Sequence, residues 1–339
     1  MNKNKAGIGQ YYLGIDIGGT NIRFGIVDVR GRLLSSNSLS VEQSADKAIG
    51  QIKTFIKRLI KQSEGYKTEN TDIKNISIKN IKAIGIAAAG QIDKKNGVIL
   101  YSPNLNWRNV RIKDELENSF NIPVSIENDV NAIAYGEWKI GAGKGVKNLV
   151  CIFIGTGIGS GLVINNRLST GCNGSAGEIG HTVIVSGGRK CHCGNNGCFE
   201  AYAGGWGIAE MAVEKAIRNP EKYKTLIELS SGGMDNISSE SISKAYMLQD
   251  GAAKELVHIT AEYIADGIIS IVNLLNPCMI ILGGGVIDGI PDLVEIAEKE
   301  IRKRALKVSL DSLKIIKSEF GESAGLIGAA MVAKSQIKK

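Results

Sequence analysis

The sequence predicts an α/β protein made of two similar units around a cleft, and three observations carry that expectation. Tyr11–Ile17 and Ile22–Asp28 are apolar strand-like runs joined by the glycine-bearing turn Gly18-Gly19-Thr20-Asn21. The same theme of strand, glycine-rich turn and strand returns at Asn148–Ile154, 155–161 and Leu162–Asn165. At 339 residues the chain is long enough for two units, each with its own core. The repeat is one of pattern rather than of identical residues.

Within the first half, Arg32–Leu39 supplies a third strand and Ala45–Gln62 has a helical apolar period. Lys67–Asn80 is polar without periodicity and reads as a surface loop. Ile81–Ala88 returns to a buried strand, and Pro123–Glu127 forms another ahead of a helix, Asp129–Ile140, with an acidic start. In the second half, helices are expected near Trp206–Arg218 and Gly251–Leu275, with a short strand at Met279–Leu282 running into Gly283-Gly284-Gly285. The last helix, Ser323–Lys334, carries the small residues GLIGAA, which permit close packing. The expected domains are 1–127 plus 323–339, and 128–322 with an insertion at 178–200.

Composition excludes several classes. No apolar run is long enough to cross a bilayer, and MNKNKAGIGQ lacks an apolar signal core, so the expected location is cytoplasmic. The net charge of +7 comes from scattered lysines, and the densest basic cluster is only Arg302-Lys303-Arg304. Aromatics are scarce and do not interleave with basic residues, which argues for a solvated surface and against nucleic acid. Such a surface can still draw in an anionic nucleotide. Of the six cysteines, Cys151 and Cys278 lie in apolar runs and Cys172 in a glycine-rich loop. None reads as part of a disulfide framework.

The remaining three cysteines belong to the stretch GHTVIVSGGRKCHCGNNGCFE, residues 180–200, which gathers His181, Cys191, Cys193 and Cys198. One imidazole and three thiolates complete a tetrahedral zinc site with no position left for water, so the expected zinc is structural. The Cys-x-Cys-Gly hairpin with its Gly-Cys return is what closing such a site requires. His192 lies between two of these cysteines, and its side chain should point away from the one they share.

Asp16 closes the first strand, and Gly18 to Asn21 follow it. Glycines let a backbone approach phosphate oxygens, Thr20 adds a hydroxyl donor, and Asp16 suits magnesium held through water. No Gly-Lys-Ser/Thr follows, so this is not a Walker loop. Gly155-Thr156-Gly157-Ile158-Gly159-Ser160-Gly161 leads into a strand rather than a helix, which removes the dinucleotide reading and leaves a second phosphate-facing hairpin. Asp129, in Glu127-Asn128-Asp129-Val130-Asn131, is either a helix N-cap or an acceptor for the proton of a hydroxyl under phosphorylation. Asn104 is either a turn asparagine or a partner for sugar hydroxyls. Glu178 and Glu200 bracket the metal segment in glycine- and metal-constrained loops.

Together the motifs DIGGTN, GIAAAGQID, NLNW, ENDVNA, GTGIGSG, GEIGH, CHCGNNGCFE and LGGG resemble the ROK family of sugar kinases and sugar-responsive repressors, over about Tyr11 to Ala333. The resemblance implies the actin-like ATPase (ribonuclease H-like) fold, with ATP in the interdomain cleft and a hexose beneath it. It implies Asp129 as catalytic base, and Gly90, Asn104, Asn128, Asp129, Glu178, His181 and Glu200 at the sugar. Asp16 with its magnesium, Gly18 to Asn21 and Gly155, Thr156 and Gly157 would serve the phosphates, and Gly284 and Gly285 the adenosine. The last helix would pack back on the first domain. His181 would bind zinc through one ring nitrogen and a sugar hydroxyl through the other. Many relatives have Pro-Gly where this chain has Ala89-Gly90, and Gln91 beside it can shift substrate preference.

The expected activity is therefore an ATP-dependent hexose kinase, with glucokinase first. N-acetylmannosamine, N-acetylglucosamine, fructose or allose kinases are the alternatives that keep the chemistry. A sugar-sensing repressor ranks lower, because family repressors carry a helix-turn-helix domain ahead of the phosphate loop. Members of the family often form homodimers.

Overall fold

The computed structural model describes residues 9–62 and 80–337. From the amino end run β1 (Tyr11–Ile17), β2 (Asn21–Asp28), β3 (Leu33–Ser40), α1 (Ala45–Gln62) and β4 (Ile81–Ala88). Next come β5 (Gln91–Asp93), β6 (Val98–Ser102), β7 (Trp107–Val110), α2 (Ile112–Phe120), β8 (Val124–Asn128) and α3 (Asp129–Ile140). The second half contains β9 (Leu149–Ile154), β10 (Ile158–Ile164), β11 (Arg167–Ser169), α4 (Glu200–Ala203), α5 (Gly205–Arg218), α6 (Lys224–Leu229), α7 (Ser239–Met247) and α8 (Gly251–Leu275). The chain finishes with β12 (Met279–Gly283), α9 (Gly285–Gly289), α10 (Leu293–Arg304), α11 (Lys307–Leu310), β13 (Lys314–Lys317) and α12 (Ala324–Gln336). The expected loop at Lys67–Asn80 lies outside the described residues except for Asn80.

Two five-stranded sheets share one topology. The first has the order β3-β2-β1-β4-β8 and the second β11-β10-β9-β12-β13. In each, the first three strands pair antiparallel and the last two join in parallel. The pattern repeat read from the sequence is thus a repeat of architecture. Contacts divide the chain into a unit running to Gly145, with 170–175 and the residues from Ser323, and a unit of Val146–Ser169 and Ala176–Glu322.

In the first unit, β1 and β4 are central strands covered on both faces, which is why they read as nearly unbroken apolar runs. β3 is an edge strand, and its LLSSNSLS sequence is half-exposed. α1 buries Ala48, Ile49, Ile52 and Ile56, one stripe at helical spacing. α12 is buried from Ala324 to Ala333 and is apolar all round, as a helix enclosed by its neighbours must be. Glycines permit its approach: a Cβ on Gly14 would lie 2.1 Å from the Leu326 carbonyl oxygen, and one on Gly85 1.9 Å from that of Ala329. From the helix side, a Cβ on Gly328 would meet the Ala132 carbonyl oxygen of α3 at 2.3 Å.

That packing moves a boundary. The expected division at 127/128 falls too early, because α3 stays with the first unit against α12. The strand expected at Leu162–Asn165 starts earlier, at Ile158, since the turn needs only residues 155–157. The sheet β5-β6-β7 was not expected, its strands being too short to show a period.

In the second unit, the 25-residue α8 opens on Asp250, whose side chain accepts from the Ala253 amide, and closes on left-handed Asn276. It buries Leu256, Ile264, Ile268 and Val272 in the core that includes β9 and β12. The 178–200 segment has little regular structure beyond a 3-10 turn, Ile179–His181, and the bridges Val183 to Cys198 and Lys190 to Asn196.

Candidate active site and metal centre

In the first unit β1 delivers Asp16 to the end of the sheet. The Gly18 amide donates to the Asn21 carbonyl (3.0 Å), which closes the turn and leaves Thr20 and Asn21 exposed. Asp16 is only 7% exposed. Burial raises its pKa, and the Arg23 guanidinium, directly across the β1–β2 ladder, opposes that rise by donating to Oδ2. The start of α12 adds a further constraint, since a Cβ on Gly325 would lie 2.4 Å from Asp16 Oδ2. Sequence reasoning missed Arg23, although the register of a hairpin turning at 18–21 sets residue 23 opposite residue 16.

Asn104 stands beside this turn, where a Cβ on Gly19 would lie 3.2 Å from the Asn104 Cβ. Gly90 has φ +124, and a Cβ there would strike the Tyr101 carbonyl oxygen at 2.2 Å, so glycine is required. Its own carbonyl accepts from Asn128 Nδ2 (3.3 Å), which also donates to Asp129 Oδ1 (2.9 Å). Asn128 Oδ1 accepts from the Asn131 amide (3.1 Å), so Asn128 is the N-cap of α3. The capping alternative for Asp129 is thereby overturned: Asn128 fills that role, and Asp129 occupies the first helical position. Gly90, Asn128 and Asp129 form one connected group.

Behind it, Glu127 is 5% exposed. Lys94 Nζ lies 2.9 Å from its Oε2, and the Asn128 amide donates to Oε1 at 3.1 Å. Burial pushes its pKa upward, against the pull of Lys94 and these donors. The sequence offered no sign of the Lys94 pairing, which spans 33 residues.

In the second unit the Gly155–Gly157 turn is stitched to the start of α5. The Gly205 amide donates to the Gly155 carbonyl (2.9 Å) and the Trp206 amide to that of Thr156 (3.1 Å). Glu200, the first residue of α4, reaches under this turn. Its Oε2 accepts from the Ile158 amide (2.8 Å) and its Oε1 from the Trp206 indole N–H (3.2 Å). Gly157 leaves the space, because a Cβ on it would lie 2.4 Å from Glu200 Oε2. Gly284, with φ +95, sits at the end of β9, where a Cβ would meet the Ile154 carbonyl oxygen at 2.6 Å. Gly285 follows it, exposed, as the first residue of α9.

Glu178 and His181 share one turn, the His181 amide donating to the Glu178 carbonyl (3.1 Å). The ligand atoms of His181, Cys191, Cys193 and Cys198 all lie within 4.8 Å of one another. Two separations, Cys191 Sγ to His181 Nδ1 and Cys193 Sγ to Cys198 Sγ, are 3.7 Å. Bonds near 2.3 Å give a tetrahedral edge of about 3.8 Å, so the spacing and the donor set fit zinc. Burial, with the neighbouring thiols, pushes Cys198 up to about 12, and a divalent cation among the sulfurs would reverse that preference. The loop reaches this shape through left-handed Gly194 and Gly197, and a Cβ on Gly197 would overlap the Val185 carbonyl oxygen. His192 lies outside the quartet, its ring stacked on Trp206 at 4.0 Å between centroids.

The chain is similar to known proteins over most of its length. The chain is 34% identical over 324 residues to a glucokinase of Streptomyces coelicolor, covering 95% of this chain and 97% of that one. It is 32% identical over 330 residues to a xylose repressor of Bacillus spizizenii, covering 95% of this chain and 76% of the repressor. Among solved structures, a ROK family glucokinase from Streptomyces griseus in complex with glucose and AMPPNP superposes with a TM-score of 0.81 at 34% identity, covering 96% and 99% of the two chains. A profile of the ROK family matches residues 12–336. With its paired sheets of common topology, the chain belongs to the ROK family and has the actin-like ATPase fold.

Proposed function

We propose that this protein is an ATP-dependent hexose kinase, and specifically a glucokinase that transfers the γ-phosphate to the glucose 6-hydroxyl. The observation that carries the reading is the Asn128–Asp129 pair: Asn128 caps α3 and holds Oδ1 of Asp129, so the carboxylate is oriented without serving as the cap. As the hydroxyl oxygen attacks the γ-phosphorus, Asp129 takes its proton, the new P–O bond forms, the β–γ bridge breaks and ADP leaves. Gly90, Asn104, Asn128, Glu178, His181 and Glu200 bind the sugar hydroxyls. The backbones of Gly18 to Asn21 and of Gly155 to Gly157 meet phosphate oxygens, and Gly284 and Gly285 lie at the adenosine. Asp16 would hold magnesium, which supplies charge neutralisation at the phosphates. His181, Cys191, Cys193 and Cys198 would hold a structural zinc that sets the His181 ring. The named glucokinase relatives support this reading.

The test is ADP release with MgATP and a panel of glucose, fructose, allose, N-acetylglucosamine and N-acetylmannosamine, run on wild type and Asp129→Asn. Glucose should give the highest kcat/KM. Asp129→Asn should lower kcat by about 10²–10⁴ while glucose binding persists. Preference for another sugar would replace the substrate and keep the mechanism. Sugar binding without turnover would make the protein a sensor, the role suggested by the named xylose repressors. Near-normal turnover in Asp129→Asn would remove Asp129 as base.

A further inference from the structure

Three of the contacts that Trp206 makes fall in different parts of the second unit. Its backbone amide donates to the Thr156 carbonyl in the Gly155–Gly157 turn (3.1 Å). Its indole N–H donates to Glu200 Oε1 (3.2 Å). The face of its ring stacks on His192, with centroids 4.0 Å apart and planes inclined by 29°. His192 is exposed and lies between two cysteines of the metal quartet, though its ring is directed at the indole and not at the metal ligands.

We infer that Trp206 is a positioning residue that holds the Glu200 carboxylate for sugar and makes its orientation depend on the metal-binding loop. The inference rests on the proposed role of Glu200 as a sugar ligand. A carboxylate has two oxygens and a side chain with three rotatable bonds. The Ile158 amide fastens only Oε2 (2.8 Å), which leaves the carboxylate able to swing about that contact. The indole bond to Oε1 removes this freedom and fixes the plane of the group. A planar, charge-assisted arrangement with both oxygens held is what preorganised recognition of adjacent hydroxyls needs.

The stack extends the constraint to the metal. His192 covers one face of the indole, which also packs against the cluster of Cys191, Cys198, Ala201 and Tyr202. His192 in turn is held by Cys191 and Cys193 on either side, and Cys191 and Cys198 are buried. His181, Cys191, Cys193 and Cys198 would hold a zinc, and a loop so tied would fix the His192 backbone and with it the ring that stacks on Trp206. The metal-binding loop would thus reach the residues proposed to bind sugar by a second route, separate from the His181 ring.

Glucose affinity measured by calorimetry tests the assignment, with zinc stoichiometry determined on the same samples. Trp206→Phe keeps an aromatic ring and the backbone amide, and removes the N–H together with part of the ring. It should weaken glucose binding about tenfold, leave the KM for MgATP within about twofold and retain one zinc per chain. Glu200→Ala should weaken glucose at least as much, and the double variant should be no weaker than Glu200→Ala alone, because Trp206 acts through Glu200. His192→Ala, at an exposed position, should retain zinc and weaken glucose by about threefold, intermediate between wild type and Trp206→Phe.

Glucose affinity within twofold of wild type in Trp206→Phe, alongside a loss in Glu200→Ala, would overturn the inference and leave the kinase reading standing. Additive losses in the double variant would overturn it as well, as would loss of zinc or of the folded state in Trp206→Phe. Unchanged glucose affinity in Glu200→Ala would instead remove Glu200 from the sugar, and the underlying assignment with it.

Discussion

Gly157→Ala separates a functional glycine from a structural one. Gly157 has no positive φ, so alanine can adopt its backbone without strain. The new Cβ would lie 2.4 Å from Glu200 Oε2, whereas ordinary contact begins at 3.4 Å. The carboxylate therefore has to retreat by about 1 Å, and its bond from the Ile158 amide, now 2.8 Å, stretches past hydrogen-bonding range. Because the obstructed atom is the far end of a side chain, the fold survives and the site gives way. A hydrogen bond to a charged group contributes about 1.5–3 kcal/mol, and a misplacement of this size in a binding constellation reaches 10²-fold. Glucose kcat/KM should consequently fall by about ten- to a hundredfold, while loss of that bond lowers the thermal midpoint by about 3–12 °C and leaves the chain folded. Coupled assay of ADP release at saturating MgATP, across a range of glucose concentrations, measures the first quantity, and calorimetric melting the second. A folded variant with glucose kcat/KM within twofold of wild type would refute the reasoning, for it would mean that the Glu200 carboxylate need not stay under the turn.

Three other perturbations follow from the same geometry. Cys198→Ser should drop zinc content from one per chain to well under a tenth and abolish glucose binding, as should a strong chelator on wild type; full glucose affinity in zinc-free, folded protein would sink the metal's role. Gly85→Ala sets backbone against backbone, its Cβ 1.9 Å from the Ala329 carbonyl oxygen, and should cost about 3 kcal/mol, roughly 6–12 °C in Tm; a change under 2 °C would show that α12 can lift freely. Glu127 has its pKa raised by burial, so the folded state binds that proton more tightly than the unfolded chain, and wild-type stability falls as pH rises from the unfolded value through the folded one. Glu127→Gln lacks this proton, and its stability relative to wild type should rise between pH 4.5 and 7.5 in urea titrations; a fall over that window would reverse the sign of the argument.

Much of the architecture was legible because its signals are local. α1, α3 and α8 cover the spans marked by the apolar period, and β1 and β4 coincide with apolar runs that could only be buried on both faces. The metal quartet was legible for the same reason: Cys191, Cys193 and Cys198 fall within eight residues, and glycines mark the turns that fold them together. The sheet β5-β6-β7 was not, since strands of three to five residues are shorter than any period they could display. Nor was the boundary at Gly145, because α3 belongs to the first unit by virtue of a helix nearly 200 residues further on.

The sequence by itself determined the chemistry on offer: the two glycine-rich turns, the quartet of His181, Cys191, Cys193 and Cys198, the candidate base and the duplicated α/β pattern, all set by residue type and spacing within short segments. Tertiary structure decided how those groups are used. Asn128 rather than Asp129 caps α3, a competition between neighbours that spacing leaves open and that side-chain geometry resolves. Arg23 answers the buried Asp16, Lys94 the buried Glu127, and Trp206 the Glu200 carboxylate. Each of these pairings depends on where folding brings a partner, because a charge removed from water is stabilised by whichever donor lies within about 3 Å, whatever its distance along the chain.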